Sequence, residues 1–90
     1  MKVVKKVKVK NSLGLHTRPA ASIIKILQPH KSSVCFTYKD ATINARSIMS
    51  ILMLAAKRNA QIVVTVDGDD AEITMQKLIA GFESAFGERE

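Results

Sequence analysis

Apolar and polar residues alternate at the start of the chain. In the segment Lys6-Val7-Lys8-Val9-Lys10 every second residue is a lysine, and this period of two is typical of a β-strand with one buried face. Pro19 has no backbone N–H to donate and suits the first turn of a helix. Four apolar residues then recur at helical spacing and predict an amphipathic helix that ends at Gln28-Pro29: Ala20, Ile23, Ile24 and Leu27.

Three further strands follow from the same alternation. Val34, Phe36 and Tyr38 predict the second strand, and Lys39-Asp40 predicts a tight turn into a short third strand through Thr42 and Ile43. The fourth strand has its apolar face at Ile62, Val64 and Val66 and ends at Asp67-Gly68.

Two more helices are predicted in the second half of the chain. Ser47 suits the N-cap of a helix with Ile51 and Leu54 facing inward, and residues 55–59 are expected to carry its C-terminal end, with Lys57 and Arg58 near the negative pole. Asp69 and Glu72 have the spacing of a capping box. An apolar stripe then predicts the last helix: Met75, Leu78, Ile79, Phe82 and Phe86.

The predicted order of elements is β-α-β-β-α-β-α. Three amphipathic helices on one face of a four-stranded sheet make a two-layer α+β fold. Ninety residues suit a single domain spanning positions 1–90. Hydrophobic residues make up 47% and aromatic residues only 4%, which excludes a disordered chain and predicts an aliphatic core.

Charge and cysteine content restrict the function classes. The net charge is +6, and five lysines lie in the first ten residues, which favours either a nucleic acid or an acidic protein as partner. The chain contains no RNP-like cluster of aromatic residues, which disfavours RNA binding. A single cysteine, Cys35, is expected to be an ordinary strand residue, and nothing requires an oxidising compartment. No segment predicts a membrane span or a signal peptide, so the cytoplasm is the expected location.

The candidate chemistry lies in the segment Asn11 to Ala20. His16 directly precedes the first predicted helix, whose unpaired N–H groups form an anion site. The positive pole of that helix favours a neutral, nucleophilic imidazole. After phosphorylation of His16, the same N–H groups and the Arg18 guanidinium would hold the phosphoryl oxygens. Gly14 is expected to remove side-chain bulk where a partner approaches.

The remaining candidates predict no further chemistry. The chain has no phosphate-binding Gly-x-x-x-x-Gly-Lys loop, no carboxylate pair around His16 in the sequence and no metal-ligand cluster, so we expect neither a cofactor nor a metal. His30 follows Pro29 in a polar loop and is expected only at the surface. Catalytic groups are therefore expected to come from partner proteins.

Two motifs resemble the histidine-containing phosphocarriers, the HPr family, and the resemblance covers nearly the whole chain. They are Gly14-Leu15-His16-Thr17-Arg18-Pro19-Ala20 and Arg46-Ser47-Ile48-Met49-Ser50. The resemblance implies an HPr-like open-faced β-sandwich, with an antiparallel sheet and three helices on one face. It also implies a phosphoryl carrier, not an enzyme. His16 would be phosphorylated on Nδ1 by enzyme I and would pass the group to enzyme IIA domains of the sugar phosphotransferase system, with Arg18 beside it.

The second motif implies regulation and docking. Ser47 is similar to the serine that HPr kinase phosphorylates, although Ser50 stands where the family often has glycine. With Ile51 and Leu54 inward, Ile48, Met49 and Leu52 would form an outward apolar docking patch. Thr17 and Lys25 complete the predicted partner-binding residues, and the carrier is expected to be a monomer.

Two alternatives remain open. The segment Asn11-Ser12-Leu13-Gly14 and residues 82–88 resemble nitrogen-related phosphocarriers, which serve a regulatory phosphorelay uncoupled from sugar uptake but would still use His16. From a different class, the alternative is a small basic RNA-binding module, which leaves the His16 motif unexplained.

Overall fold

Four β-strands form one sheet in the structure, a computed structural model that describes residues 1–88. The strands are β1 (Lys2–Lys8), β2 (Ser33–Tyr38), β3 (Ala41–Asn44) and β4 (Gln61–Asp67). Their order in the sheet is β1-β4-β2-β3, and every neighbouring pair is antiparallel. Strands β4 and β2 are thus the inner strands, and the alternating residues Ile62, Val64 and Val66 of β4 are all buried.

Three α-helices cover the sheet. They are α1 (Thr17–Leu27), α2 (Ile48–Leu54) and α3 (Ala71–Glu83), and a short 3₁₀ turn, Ala85–Gly87, follows α3. The predicted order β-α-β-β-α-β-α and the open four-stranded antiparallel sheet are both confirmed. None of the helices within residues 1–88 is long and apolar enough to cross a membrane.

The core lies between the helices and the inner face of the sheet. Phe36 of β2 meets Phe82 of α3 edge to face, with 5.7 Å between ring centroids. Around this pair pack the largest aliphatic side chains, which include Ile23, Leu27, Ile51, Ile62 and Leu78. The predicted stripe of α1 is confirmed, with Ile24 only partly buried at its border.

Helix α2 ends earlier than predicted. Its last residue is Leu54, and Ala55 adopts a left-handed conformation (φ 54°, ψ 37°), so Lys57 and Arg58 lie beyond the helix and the prediction for residues 55–59 was wrong. The left-handed turn redirects the chain toward β1, where the Asn59 N–H donates to the Val9 carbonyl and Val9 N–H to the Ala60 carbonyl. Pairing with a distant segment therefore overrides local helix propensity.

The predicted start and stripe of α3 also need correction. The N-cap is Asp70, one residue later than the capping-box spacing indicated, and its carboxylate makes no cap hydrogen bond. It accepts hydrogen bonds from the backbone of Lys31 and Ser32 instead. Phe86 lies outside the helix at φ 52°, and its ring stacks edge-on against Phe82.

The loop after α1 is tied to the start of α3 by the Asp70 carboxylate, which accepts hydrogen bonds from Lys31 and Ser32. The Nδ1 atom of His30 lies 3.5 Å from the Asp70 carboxylate, and the His30 side chain is largely covered, so the expectation of a surface residue was wrong. The hydrogen bond from the Ser32 hydroxyl, more than any other contact, holds the pKa of Asp70 far below its usual range. Asp70 thereby fixes residues 30–32 against the start of α3.

Candidate functional site

His16 occupies the N-cap position of α1. Its backbone is extended (φ −80°, ψ −165°), and its carbonyl accepts the first helical hydrogen bond from Ala20. The imidazole makes no capping hydrogen bond and is 28% exposed. The ring is therefore held at the positive end of the helix while still reachable from solvent.

Gly14 sets the path of the loop before His16. Its φ is +68°, a conformation that side chains disfavour, and a Cβ atom there would lie 2.3 Å from the Ala56 carbonyl oxygen. The next residue, Leu15, donates its N–H to the same oxygen at 3.0 Å. Close packing of the chain on itself therefore requires a glycine here, and the expected role of Gly14 in partner access stays a prediction.

A carboxylate that the sequence did not indicate contacts the imidazole. The Nε2 atom of His16 lies 3.0 Å from Oε1 and 2.9 Å from Oε2 of Glu88. The Nδ2 atom of Asn11 donates to Oε1 of Glu88 at 2.5 Å. This bond, together with the bond and charge of His16 and the charge of Arg18, lowers the pKa of Glu88 despite partial burial. Glu88 and Asn11 are functional candidates that sequence reasoning missed.

A shallow pocket opens beside His16. His16 and Thr17 line it together with the loop and the end of α2, and the remaining lining residues are Leu13, Leu15, Leu52, Ala55, Ala56 and Lys57. Leu13 is 76% exposed, although it was not among the predicted partner-binding residues. The pocket therefore lies between His16 and α2, the helix that carries the predicted docking patch.

The predicted partner-binding residues lie on two helices that pack against each other. Ile48 and Met49 are exposed on α2, with Met49 at 62%, whereas Leu52 is half-buried against the core and reaches the pocket. Arg18 and Lys25 are exposed on α1 and lie seven positions apart, so they share one helical face. We refer below to Ile48, Met49, Leu52 and the exposed Leu13 as the apolar rim.

Ser47 is the N-cap of α2, as predicted, and its side chain accepts a hydrogen bond from the Ser50 N–H at 3.2 Å.

The side chain of the neighbouring residue Arg46 points toward the end of α1 and the loop after it. The guanidinium donates to the carbonyl oxygens of Leu27, His30 and Ser32 at distances between 2.6 and 3.1 Å. Arg46 therefore anchors the end of α1.

No three His, Cys, Asp or Glu side chains within positions 1–88 cluster closely enough to hold a metal ion. The chemistry available at the site is that of one imidazole, one carboxylate and the N-terminus of α1. An imidazole nitrogen can accept a phosphoryl group, and a helix N-terminus can hold its oxygens.

Comparison with known proteins agrees with this geometry. Residues 3–84 match the family described as the PTS HPr component phosphorylation site. The phosphocarrier protein HPr of Chlamydia muridarum is 46% identical over 80 residues, which cover 89% of this chain and 77% of that protein. A multiphosphoryl transfer protein of Vibrio cholerae is 33% identical over 84 residues, which cover 90% of this chain and 21% of that protein.

The fold matches a solved structure of the same kind. The crystal structure of HPr-C-His from Thermoanaerobacter tengcongensis superposes with a TM-score of 0.92 at 31% identity, covering 98% of this chain and 99% of that one. Sequence, fold and the partly exposed histidine at the start of α1 agree, and the chain belongs to the HPr family, the phosphocarrier proteins of the phosphotransferase system.

Proposed function

We propose that His16 accepts a phosphoryl group from phospho-enzyme I and donates it to enzyme IIA domains. The observation that carries the proposal is the partly exposed imidazole at the N-terminus of α1. The first N–H groups of a helix have no partners within it and bind anions. A phosphoryl group on His16 would meet these groups, and Arg18 in the first turn would balance its charge.

The docking surface is proposed to be the apolar rim with a basic border. Apolar side chains that protrude next to a reactive group are typical of protein interfaces, and Met49 can adapt to several partners. Thr17 lines the pocket beside His16, and Arg18 and Lys25 would attract acidic partners. In the multiphosphoryl transfer protein named above, the segment similar to this chain makes up 21% of a longer protein. The name of that protein supports partners that exchange phosphoryl groups with an HPr-like segment.

Phosphorylation by purified enzyme I and phosphoenolpyruvate tests the proposal. The wild-type chain should acquire one acid-labile phosphoryl group, and His16→Ala should acquire none. The matched control is His30→Ala, which removes the other of the two histidines and should label like wild type. Equal labelling of wild type and His16→Ala would exclude His16 as the acceptor. Comparing the phosphorylation rates with sugar-type and with nitrogen-type enzyme I distinguishes a sugar-uptake carrier from a nitrogen-related phosphocarrier.

Arg18→Ala tests the charge balance on the phosphoryl group. We expect slower transfer with an unchanged melting temperature, because Arg18 is exposed and surface substitutions typically change stability by less than about 0.5 kcal/mol. A transfer rate equal to that of wild type would remove Arg18 from the mechanism.

We further propose that phosphorylation of Ser47 by HPr kinase weakens docking. Phosphate at a helix N-terminus is electrostatically favourable, and Ser47 lies five residues before Leu52, about 7.5 Å along the helix axis. The added charge would therefore stand beside the apolar rim. Incubation with HPr kinase and ATP should label wild type and Ser50→Ala but not Ser47→Ala. Absence of label on Ser47 in wild type would leave this serine as an N-cap only.

A further inference from the structure

The contact between Glu88 and His16 determines which ring nitrogen carries the hydrogen. An ionised carboxylate can only accept hydrogen bonds, and both oxygens of Glu88 lie within 3.0 Å of Nε2. Nε2 must therefore be the donor. In the neutral imidazole this leaves the lone pair on Nδ1.

Asn11 holds the carboxylate in place from the other side. The Asn11 side chain is 1% exposed, and its Nδ2 donates both to Glu88 Oε1 at 2.5 Å and to the Ala85 carbonyl at 2.8 Å. Asn11 and His16 lie on the same loop, so two residues of that loop hold one carboxylate. The loop before α1 and the segment after α3 thereby form one connected site.

An unusual backbone brings Glu88 to this position. Ala85, Phe86 and Gly87 have φ values of 53°, 52° and 78°, and left-handed non-glycine residues persist only where surrounding structure stabilises them. The Phe86 ring provides that support: its centroid lies 4.9 Å from that of Phe82. It also fits against Gly81, where a Cβ atom would approach the ring to 2.6 Å.

We propose that Glu88 is a positioning residue that holds His16 in the tautomer with hydrogen on Nε2 and the lone pair on Nδ1. This inference rests on the proposed function of His16. In the transfer step the Nδ1 lone pair forms the new N–P bond. The P–N bond of the phosphohistidine donor breaks, and its electron pair returns to the donor's ring nitrogen. The Nε2 hydrogen stays between His16 and Glu88, where the carboxylate stabilises the positive charge that develops on the ring.

The tautomer can be measured without any partner protein. Nitrogen-15 NMR of the ring of His16, at a pH where the imidazole is neutral, reports the ratio of the Nε2–H to the Nδ1–H form. In Glu88→Gln the amide can accept a hydrogen bond from Nε2–H or donate one to a bare Nε2, so it no longer selects one tautomer strongly. We expect this ratio to fall about tenfold, because a neutral hydrogen bond is weaker than the charge-assisted bond to the carboxylate. The control Glu83→Gln removes an exposed carboxylate at the end of α3 and should leave the ratio unchanged.

The rate of transfer from phospho-enzyme I provides the second measurement. We expect Glu88→Gln to slow the initial rate about tenfold, because a neutral amide stabilises the positive charge that develops on the ring less than a carboxylate does, while Glu83→Gln transfers like wild type. A purely structural role would lower the melting temperature without changing the tautomer ratio. An unchanged ratio, or a changed ratio with an unchanged rate, would overturn the proposal. If the wild-type protein accepted no phosphoryl group, the proposed function of His16 would be refuted. The role of Glu88 in fixing the tautomer would still be tested by the NMR ratio, which requires no phosphoryl transfer.

Discussion

Replacing Arg46 by methionine should destabilise the fold, although the residue lies next to Ser47, whose regulatory role is a proposal. The guanidinium makes four hydrogen bonds to three carbonyl oxygens, those of Leu27, His30 and Ser32. Methionine keeps much of the side-chain length but donates no hydrogen bond. The carbonyls of His30 and Ser32 would then lose these donors, and the carbonyl of Leu27 would keep the His30 N–H but lose the guanidinium.

The size of the effect follows from these contacts. A hydrogen bond to a charged group contributes about 1.5–3 kcal/mol, and because four bonds from one side chain are not additive, we expect Arg46→Met to lower the free energy of unfolding by about 3 kcal/mol. For a domain of this length each kcal/mol shifts the melting temperature by about 4–8 °C. The expected decrease is therefore roughly 12–24 °C.

Urea and thermal unfolding followed by circular dichroism provide the measurement. Arg18→Met is the matched control, because it makes the same substitution at an exposed arginine and should change the free energy of unfolding by less than about 0.5 kcal/mol. Arg46→Lys keeps the charge but reaches fewer carbonyls and should fall between the two. A loss for Arg46→Met no larger than that for Arg18→Met would refute the anchoring role.

Three further outcomes are expected. Gly14→Ala should lower the free energy of unfolding by about 2 kcal/mol in urea titrations, because a left-handed alanine costs roughly 1–2 kcal/mol and its Cβ would meet the Ala56 carbonyl. Wild-type stability of this variant would contradict a left-handed conformation at Gly14. The folded-state pKa of Asp70 is lowered, so its stabilisation is present above the unfolded pKa of about 3.9 and is lost as the pH falls through the folded value. Asp70→Asn should therefore flatten the acid side of the stability profile, and an unchanged profile would exclude that contribution. Met49→Glu should slow transfer to enzyme IIA domains with little change in melting temperature, since Met49 is 62% exposed, and equal transfer rates would remove it from the apolar rim.

Much of the fold could be read from local pattern. Alternating residues in β4 and the apolar stripe of α1 depend on backbone geometry with periods of two and 3.6 residues, and both are found where they were predicted. His16 and Ser47 could be placed at helix starts for the same reason, because Pro19 and a capping serine are local signals.

The errors all occur where distant segments meet. Helix α2 stops at Leu54 because the chain after Ala55 pairs with β1 and with the His16 loop. The N-cap carboxylate Asp70 bonds to the loop after α1 and not to its own helix. Local spacing contains no information on such partners.

The sequence by itself therefore determined the order of elements, the sheet with its helices and the candidate histidine at the start of α1. Only the tertiary structure decided what surrounds that histidine. Glu88 reaches it across 72 positions of sequence, Asn11 becomes buried against the turn after α3, and Gly14 is required by the Ala56 carbonyl. Periodicity reflects the geometry of one segment, whereas the tautomer and charge of an imidazole depend on atoms that meet only when the whole chain has packed.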